Sequence, residues 1–257
     1  MIKKAITLII LILLTISLTG CTQINSNDKI NVVCTIFPQY DWVKQILGDN
    51  ADNYELTLLL DNKIDLHNYQ PSVDDIVKVS NCDLFIYVGG ESDKWVADTL
   101  KQATNTNMIV INLIDVLGDS AKAEEITEGM EEDDDENEAE YDEHVWLSLK
   151  NAQVFCLVIA EVLSSLDSDN SDTYQNNLLA YVEKLITLDA EYKTGVDMAA
   201  VKTLLFGDRF PFRYLVDDYG LDYYAAFPGC SAETEASFDT LSVLLSFLCV
   251  APLPVFY

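Results

Sequence analysis

Thr173 to Ala199 reads Thr-Tyr-Gln-Asn-Asn-Leu-Leu-Ala-Tyr-Val-Glu-Lys-Leu-Ile-Thr-Leu-Asp-Ala-Glu-Tyr-Lys-Thr-Gly-Val-Asp-Met-Ala. Within it Leu178, Tyr181, Val182, Leu185, Leu188 and Tyr192 recur at intervals of three and four, the period of a helix with one apolar face. A continuous helix of that length spans about 40 Å, more than a single small domain needs. It suits a connector between two lobes, and the rest of the chain divides around it.

Upstream, short apolar runs alternate with helical spacing. Strands are expected at Ile30 to Phe37 (stopped by Pro38), Tyr54 to Leu60, Leu84 to Val88 (closed by Gly89-Gly90) and Met108 to Leu113. Helices are expected at Tyr40 to Leu47, Ser72 to Val79, and Ser92 to Ala103 with Ser92 as its cap. Leu149 to Leu166 is a further long helical stretch. Downstream, a strand at Lys202 to Phe206, a helix from Arg209 to Tyr219 ending at Gly220, and a strand at Tyr223 to Phe227 begin a second unit. Strands alternating with helices predict an α/β fold with parallel sheets. The expected divisions are a signal segment 1–20, a tether 21–29, an N-terminal α/β lobe 30–148 with an acidic loop 118–143, a helical segment 149–200 containing the connector 173–199, and a partial C-terminal α/β lobe 201–257.

The 257 residues carry 15 Lys+Arg against 43 Asp+Glu, a formal net charge of -28. Nucleic-acid binding needs cations that neutralise phosphate, so that class is excluded. A peripheral protein held by anionic lipid is disfavoured on the same ground. Hydrophobic residues make up 49%, enough for a sizeable core. Thirteen acids and no base fall between Glu124 and Glu143, which reads as a solvated loop.

Met1-Ile-Lys-Lys opens with two cations, and a largely apolar stretch follows from Ala5 to Leu18. That stretch is short of the roughly 20 residues that span a bilayer. Leu18-Thr19-Gly20-Cys21 has the spacing of a lipoprotein signal, so residues 1–20 are expected to be removed and Cys21 to carry the lipid. Cys34, Cys82, Cys156, Cys230 and Cys249 show no CxxC or metal-knuckle spacing. Cys34, Cys82 and Cys156 lie in apolar stretches, which predicts buried free thiols.

There are two histidines, His67 and His144, each at an element boundary after a strand of the first lobe. From the residues alone two roles stay open: a satisfied hydrogen-bonding imidazole, or a ligand for an ion such as Zn or Mn.

The segments around them carry a resemblance. Asp65-Leu66-His67-Asn68-Tyr69-Gln70-Pro71-Ser72 resembles the Asp-Pro-His-x-Tyr/Phe-Glu-Pro-Ser segment of the lipoproteins that feed zinc or manganese ABC importers, the ZnuA/TroA type. Asp142-Glu143-His144-Val145-Trp146-Leu147 resembles their Asp-Pro-His-x-Trp-Leu segment. Tyr214-Leu215 with Tyr219-Gly220-Leu221, and Glu233-Thr234-Glu235-Ala236-Ser237, resemble two later segments. The resemblance implies two α/β lobes joined by a rigid long helix, with metal in the cleft and His67 and His144 as its first two ligands.

Three departures stand beside it. Leu66 and Glu143 replace the prolines that precede the ligand histidines. The third-ligand position falls on Arg209, whose guanidinium has no lone pair to give. The adjacent Asp208 is the substitute candidate, with capping of a helix at 209–219 as its alternative role. Leu241 to Tyr257 carries no charge and contains Pro252 and Pro254, which reads as a truncated or frame-shifted end that leaves the second lobe incomplete.

The resemblance therefore implies an exported receptor, lipid-anchored to the outer face of the cytoplasmic membrane. It would be a monomer that captures Zn2+ (or Mn2+) at His67, His144 and Asp208 and delivers it to an ABC permease. A metal-binding surface adhesin of the same fold and a secreted metal-dependent hydrolase are the alternatives. The second is disfavoured because the chain has no HExxH, GxSxG or GxxxxGK[ST].

Overall fold

The computed structural model describes residues 29–61, 64–128, 130, 141–230 and 237–250. The signal segment with Cys21, the centre of the acidic run, the 233–236 part of the turn motif and residues 251–257 lie outside the described residues.

The chain runs β1 (Ile30–Cys34), α1 (Phe37–Leu47), β2 (Tyr54–Leu58), α2 (Val73–Asn81), β3 (Leu84–Tyr87), α3 (Lys94–Lys101), β4 (Ile109–Asn112) and α4 (Leu113–Leu117). It continues through α5 (Leu149–Leu166), α6 (Ser171–Met198), β5 (Thr203–Phe210), α7 (Arg213–Tyr219), β6 (Asp222–Pro228) and α8 (Phe238–Val250). β1 to β4 form one parallel sheet in the order β2-β1-β3-β4; β5 and β6 pair in parallel in a second. This is the α/β architecture expected from the alternation.

Period-two alternation explains why the first sheet is covered on both faces. Val32 and Cys34 of β1, with Leu84 and Ile86 of β3, face a core built with Trp42, Ile46, Phe155, Ile159, Leu163, Tyr174 and Leu178 from α1, α5 and α6. Val33 and Phe85, one residue out of phase, face the opposite way against Val79 and Val96 of α2 and α3. Helix α6 is the expected connector. Its early turns bury Tyr174, Leu178 and Leu185 in the first lobe. Further along, Tyr192 stacks on Tyr219 of α7 with ring centroids 5.6 Å apart, and the Tyr219 hydroxyl donates to Asp189 at 2.9 Å.

Several local expectations need correction. Helix α1 begins at Phe37, because Pro38 sits in its first turn, where its missing N–H costs nothing. Ser92 does not cap α3. Asp93 holds that position without a side-chain cap, and Ser92 is used elsewhere. β5 runs to Phe210, so Arg209 is a strand residue and α7 starts only at Arg213, beyond Pro211. Proline disfavours helical backbone at the residue before it, which keeps residue 210 extended. Asp208 is therefore not a helix cap. It lies where the β5–β6 register shifts between Phe206 and Arg209.

The acidic run is also not wholly solvated. Glu124 accepts the Cys230 backbone N–H at 2.7 Å, Met130 is buried in the second lobe, and Asp142 and Glu143 are buried. Each end is held by specific partners that the run's charge conceals.

Candidate metal centre

Asp65 and Asp142 each precede a histidine by two residues, and each carboxylate folds forward onto that histidine's backbone. Asp65 Oδ1 accepts the His67 N–H at 3.0 Å, and Asp142 Oδ1 accepts the His144 N–H at 2.8 Å. Such aspartate turns fix a short loop locally. A single 3-10 turn follows each, Leu66–Asn68 and Val145–Leu147. Leu66 and Val145 are buried in the same first-lobe core, so both turns are anchored from below and the imidazoles stand at the lobe's rim.

The rings converge. His67 Nε2 and His144 Nε2 are 3.3 Å apart. Two nitrogens bound at about 2.0–2.1 Å to a tetrahedral zinc stand about 3.3–3.4 Å apart, so the spacing is already that of a shared ion. The other ring nitrogens are held by oxygen. His144 Nδ1 lies 3.1 Å from Asp142 Oδ1. His67 Nδ1 lies 3.0 Å from Ser92 Oγ and 3.4 Å from Glu143 Oε2. A carboxylate beside Nδ1 favours the tautomer protonated there, the one that frees the Nε2 lone pair for a metal.

Glu143 takes the place of one missing proline and has acquired work of its own. Its carboxylate accepts the Ser92 N–H at 2.8 Å and the Ser92 hydroxyl. Burial opposes its ionisation, but the hydrogen bonds from His67 and Ser92 outweigh burial and hold it below the usual carboxylate range. Room for it comes from Gly90, whose φ is +82° and whose missing Cβ would stand 2.4 Å from Glu143 Oε1. Asp93 holds this loop by accepting the N–H groups of Val88 and Gly89, each at 3.0 Å. Burial, together with the charge of Glu143, pushes its carboxyl up to about 6.

A cleft of about 300 Å³ opens in front of the imidazoles. Asp65, His67, His144 and Trp146 border it on one side; Asp208, Arg209, Pro211 and Gly229 border it on the other. Asp208 lines this cleft but is exposed, and its Oδ1 accepts the Arg209 N–H at 2.8 Å. Arg209 reaches across the cleft to Asp65 Oδ2 at 3.1 Å. Burial pushes the Asp65 carboxyl up, but the His67 N–H and Arg209 more than offset it, leaving it below its usual range.

Among the described residues, the donor atoms that lie within 4.8 Å of one another belong to His67, His144 and Cys230. Asp208 is not in that set. Cys230, in the turn after β6, is a free thiol, and burial together with the charge of Glu124 raises its pKa. The sequence reading missed Cys230, Ser92 and the working role of Glu143. The repeated Asp-x-His was a legible signal for the two turns; the distant cysteine had no local one.

Two parallel α/β sheets joined by a long helix, with paired imidazoles beside a cleft, define a helical-backbone α/β fold. The chain belongs to the family described as zinc-uptake complex component A, periplasmic, whose model matches residues 32–255. It is 31% identical over 252 residues to the zinc-binding lipoprotein AdcA of Streptococcus pneumoniae strain R6, covering 95% of this chain and 48% of that protein. The high-affinity zinc uptake system protein ZnuA of Bacillus subtilis is 29% identical over 230 residues, covering 87% of this chain and 68% of that protein. The crystal structure of the Zn(II)-bound ZnuA-like domain of S. pneumoniae AdcA is similar at a TM-score of 0.67 and 30% identity, covering 87% and 76% of the two chains. The chain spans about half the length of the AdcA relatives it matches.

Proposed function

We propose that the chain is the extracytoplasmic substrate-binding component of an ABC importer, anchored to the outer face of the cytoplasmic membrane by lipid on Cys21. Its cargo is a divalent metal, zinc first and manganese next, held by His67 and His144 and delivered to a membrane permease. Asp208, exposed and lining the cleft, would meet the arriving ion with an oxygen. The function is capture and release rather than catalysis.

The observation that carries this reading is the 3.3 Å separation of two Nε2 atoms whose Nδ1 partners are fixed. A cation entering between them would be met by both ring nitrogens at once. The surrounding carboxylates of Asp65, Asp142 and Glu143 make the cleft electronegative and favour cation entry. Calorimetric titration of zinc and of manganese into the mature chain tests it. One-to-one binding with zinc tighter is expected, and His67→Ala should weaken zinc by about tenfold or more. Unchanged affinity in that variant would remove the receptor reading.

A further inference from the structure

We propose that Cys230 is the third protein donor to the cargo ion, binding it as a thiolate, so that the site selects zinc and softer ions over manganese. This rests on the receptor reading above and goes beyond it by assigning a ligand and a basis for selectivity.

The third-ligand position that the resemblance implies falls on Arg209, and Arg209 is committed to Asp65 at 3.1 Å. A permanently charged guanidinium gives a metal nothing. The lost donor has a replacement nearby. Cys230 Sγ lies within 4.8 Å of a ring nitrogen on each of His67 and His144. The second lobe brings it there through Gly229, whose missing Cβ would stand 3.2 Å from His144 Cε1 and 2.9 Å from the Phe210 carbonyl oxygen. Any side chain at 229 would hold this turn away from the imidazole. The turn is fixed from behind by the Cys230 N–H, which donates to Glu124 Oε1 at 2.7 Å.

Among the described cysteines, Cys34, Cys82 and Cys156 are buried in apolar cores, whereas Cys230 is half-buried, follows the cleft-lining Gly229 and groups with both imidazoles. The chemistry of a nitrogen–nitrogen–sulfur set then decides the cargo. Thiolate with imidazole suits Zn2+ and softer ions; carboxylate, carbonyl and water suit Mn2+. On coordination the S–H bond is replaced by a sulfur–metal bond, the proton leaves to solvent, and no atom changes oxidation state.

Co(II) titration of the intact chain, read by near-ultraviolet absorption, tests this directly. A thiolate-to-Co(II) charge-transfer band is expected in the wild type and should be lost in Cys230→Ser. Zinc K-edge absorption should place one sulfur at about 2.3 Å beside nitrogens at about 2.0–2.1 Å. Cys230→Ser should lose about tenfold or more in zinc affinity and about threefold or less in manganese affinity. Co(II) binding without the band, or with a band that persists in Cys230→Ser, would overturn the assignment. The receptor reading would still stand if His67→Ala weakens binding. Absence of metal binding by the wild type would overturn both. The wild-type spectrum decides the matter even if the serine variant does not fold.

Discussion

The two lobes solve the same problem with different amounts of material. In the first, four parallel strands carry apolar side chains on both faces, and helices cover each face. In the second, among the described residues, two strands with an irregular register hold an aromatic cluster in which Phe210 stacks on Tyr223 at 3.9 Å. The site reflects the same division. Both imidazoles rise from turns anchored in the first core, and each is locked at Nδ1. The second lobe offers a cysteine in a turn, an exposed aspartate and an arginine. The larger core thus carries both imidazoles, while the smaller one supplies the facing wall of the cleft through Asp208, Arg209, Pro211 and Gly229; the smaller core is expected to open more readily.

The largest expected effect separates the two cores. Phe155 is fully buried, with its ring centroid 5.5 Å from that of Trp42. Phe155→Ala should cost about 3–5 kcal/mol and destabilise the first lobe, and with it the chain. Phe210→Ala, in the smaller core, should open the second lobe while leaving the first folded. Hydrogen exchange at β2 and β6 reads the two separately. Protection of 222–228 should fall well below that of 54–58 in the variant, and should already be lower in the wild type. Equal loss at both strands would show that the lobes unfold as one unit, and would break the comparison.

The next effect belongs to the first lobe and depends on pH. Asp93 has its carboxyl pushed up to about 6, so between about pH 4 and pH 6 the folded chain holds a proton there that the unfolded chain has released. Stability from this group is fully present below the ordinary carboxylate pKa and is lost as pH rises through about 6. Asp93→Asn keeps an acceptor for the N–H groups of Val88 and Gly89 but cannot ionise. Relative to wild type, it should gain about 2 kcal/mol between about pH 4 and pH 7. Urea denaturation of both proteins across that range checks the sign. A constant difference would mean that Asp93 titrates as it does in water.

Much of this division was legible in the sequence. The alternation at Val32-Val33-Cys34 and Leu84-Phe85-Ile86, and the spacing from Leu178 to Tyr192, decide strand and helix by period alone. The two histidines were legible because each stands in a repeated Asp-x-His segment, and the fold brings their rings together. What was hidden depended on partners distant in the chain. Ser92 reads as a helix cap, because a serine before a helix is the usual signal; only folding shows its hydroxyl spent on Glu143 and its oxygen beside His67. Arg209 reads as helical until Pro211 is given its effect on the residue before it. Half-buried Glu124 and buried Asp142 and Glu143 vanish into an acidic run, since charge density gives no sign of which carboxylates the fold will engage.

Glu143 sharpens the comparison at the site. If the first lobe's contribution is rigid presentation of His67, then Glu143→Gln should weaken zinc binding by about tenfold without altering the number of ions bound. The amide keeps the size of the side chain but removes the charge that holds the proton on His67 Nδ1. Isothermal titration measures it, and an affinity within about twofold of wild type would mean that Ser92 alone suffices to orient the ring.

The smallest effect is expected from the second lobe's exposed carboxylate. Asp208 borders the cleft, but its hydrogen bond is to the neighbouring Arg209 N–H, and it stands outside the group formed by His67, His144 and Cys230. An exposed acid acts on an approaching cation through solvent, where salt screens it. Asp208→Ala should therefore change folding stability by no more than about 0.5 kcal/mol and lower equilibrium zinc affinity by about threefold or less. A drop in the association rate that fades with added salt should accompany it. Stopped-flow binding at low and high ionic strength separates attraction at a distance from ligation. A salt-independent loss as large as that of His67→Ala would show that β5 moves inward on the bound ion. The second lobe would then contribute a fixed oxygen donor, and the contrast between a lobe that holds the imidazoles and one that only walls the cleft would have to be redrawn.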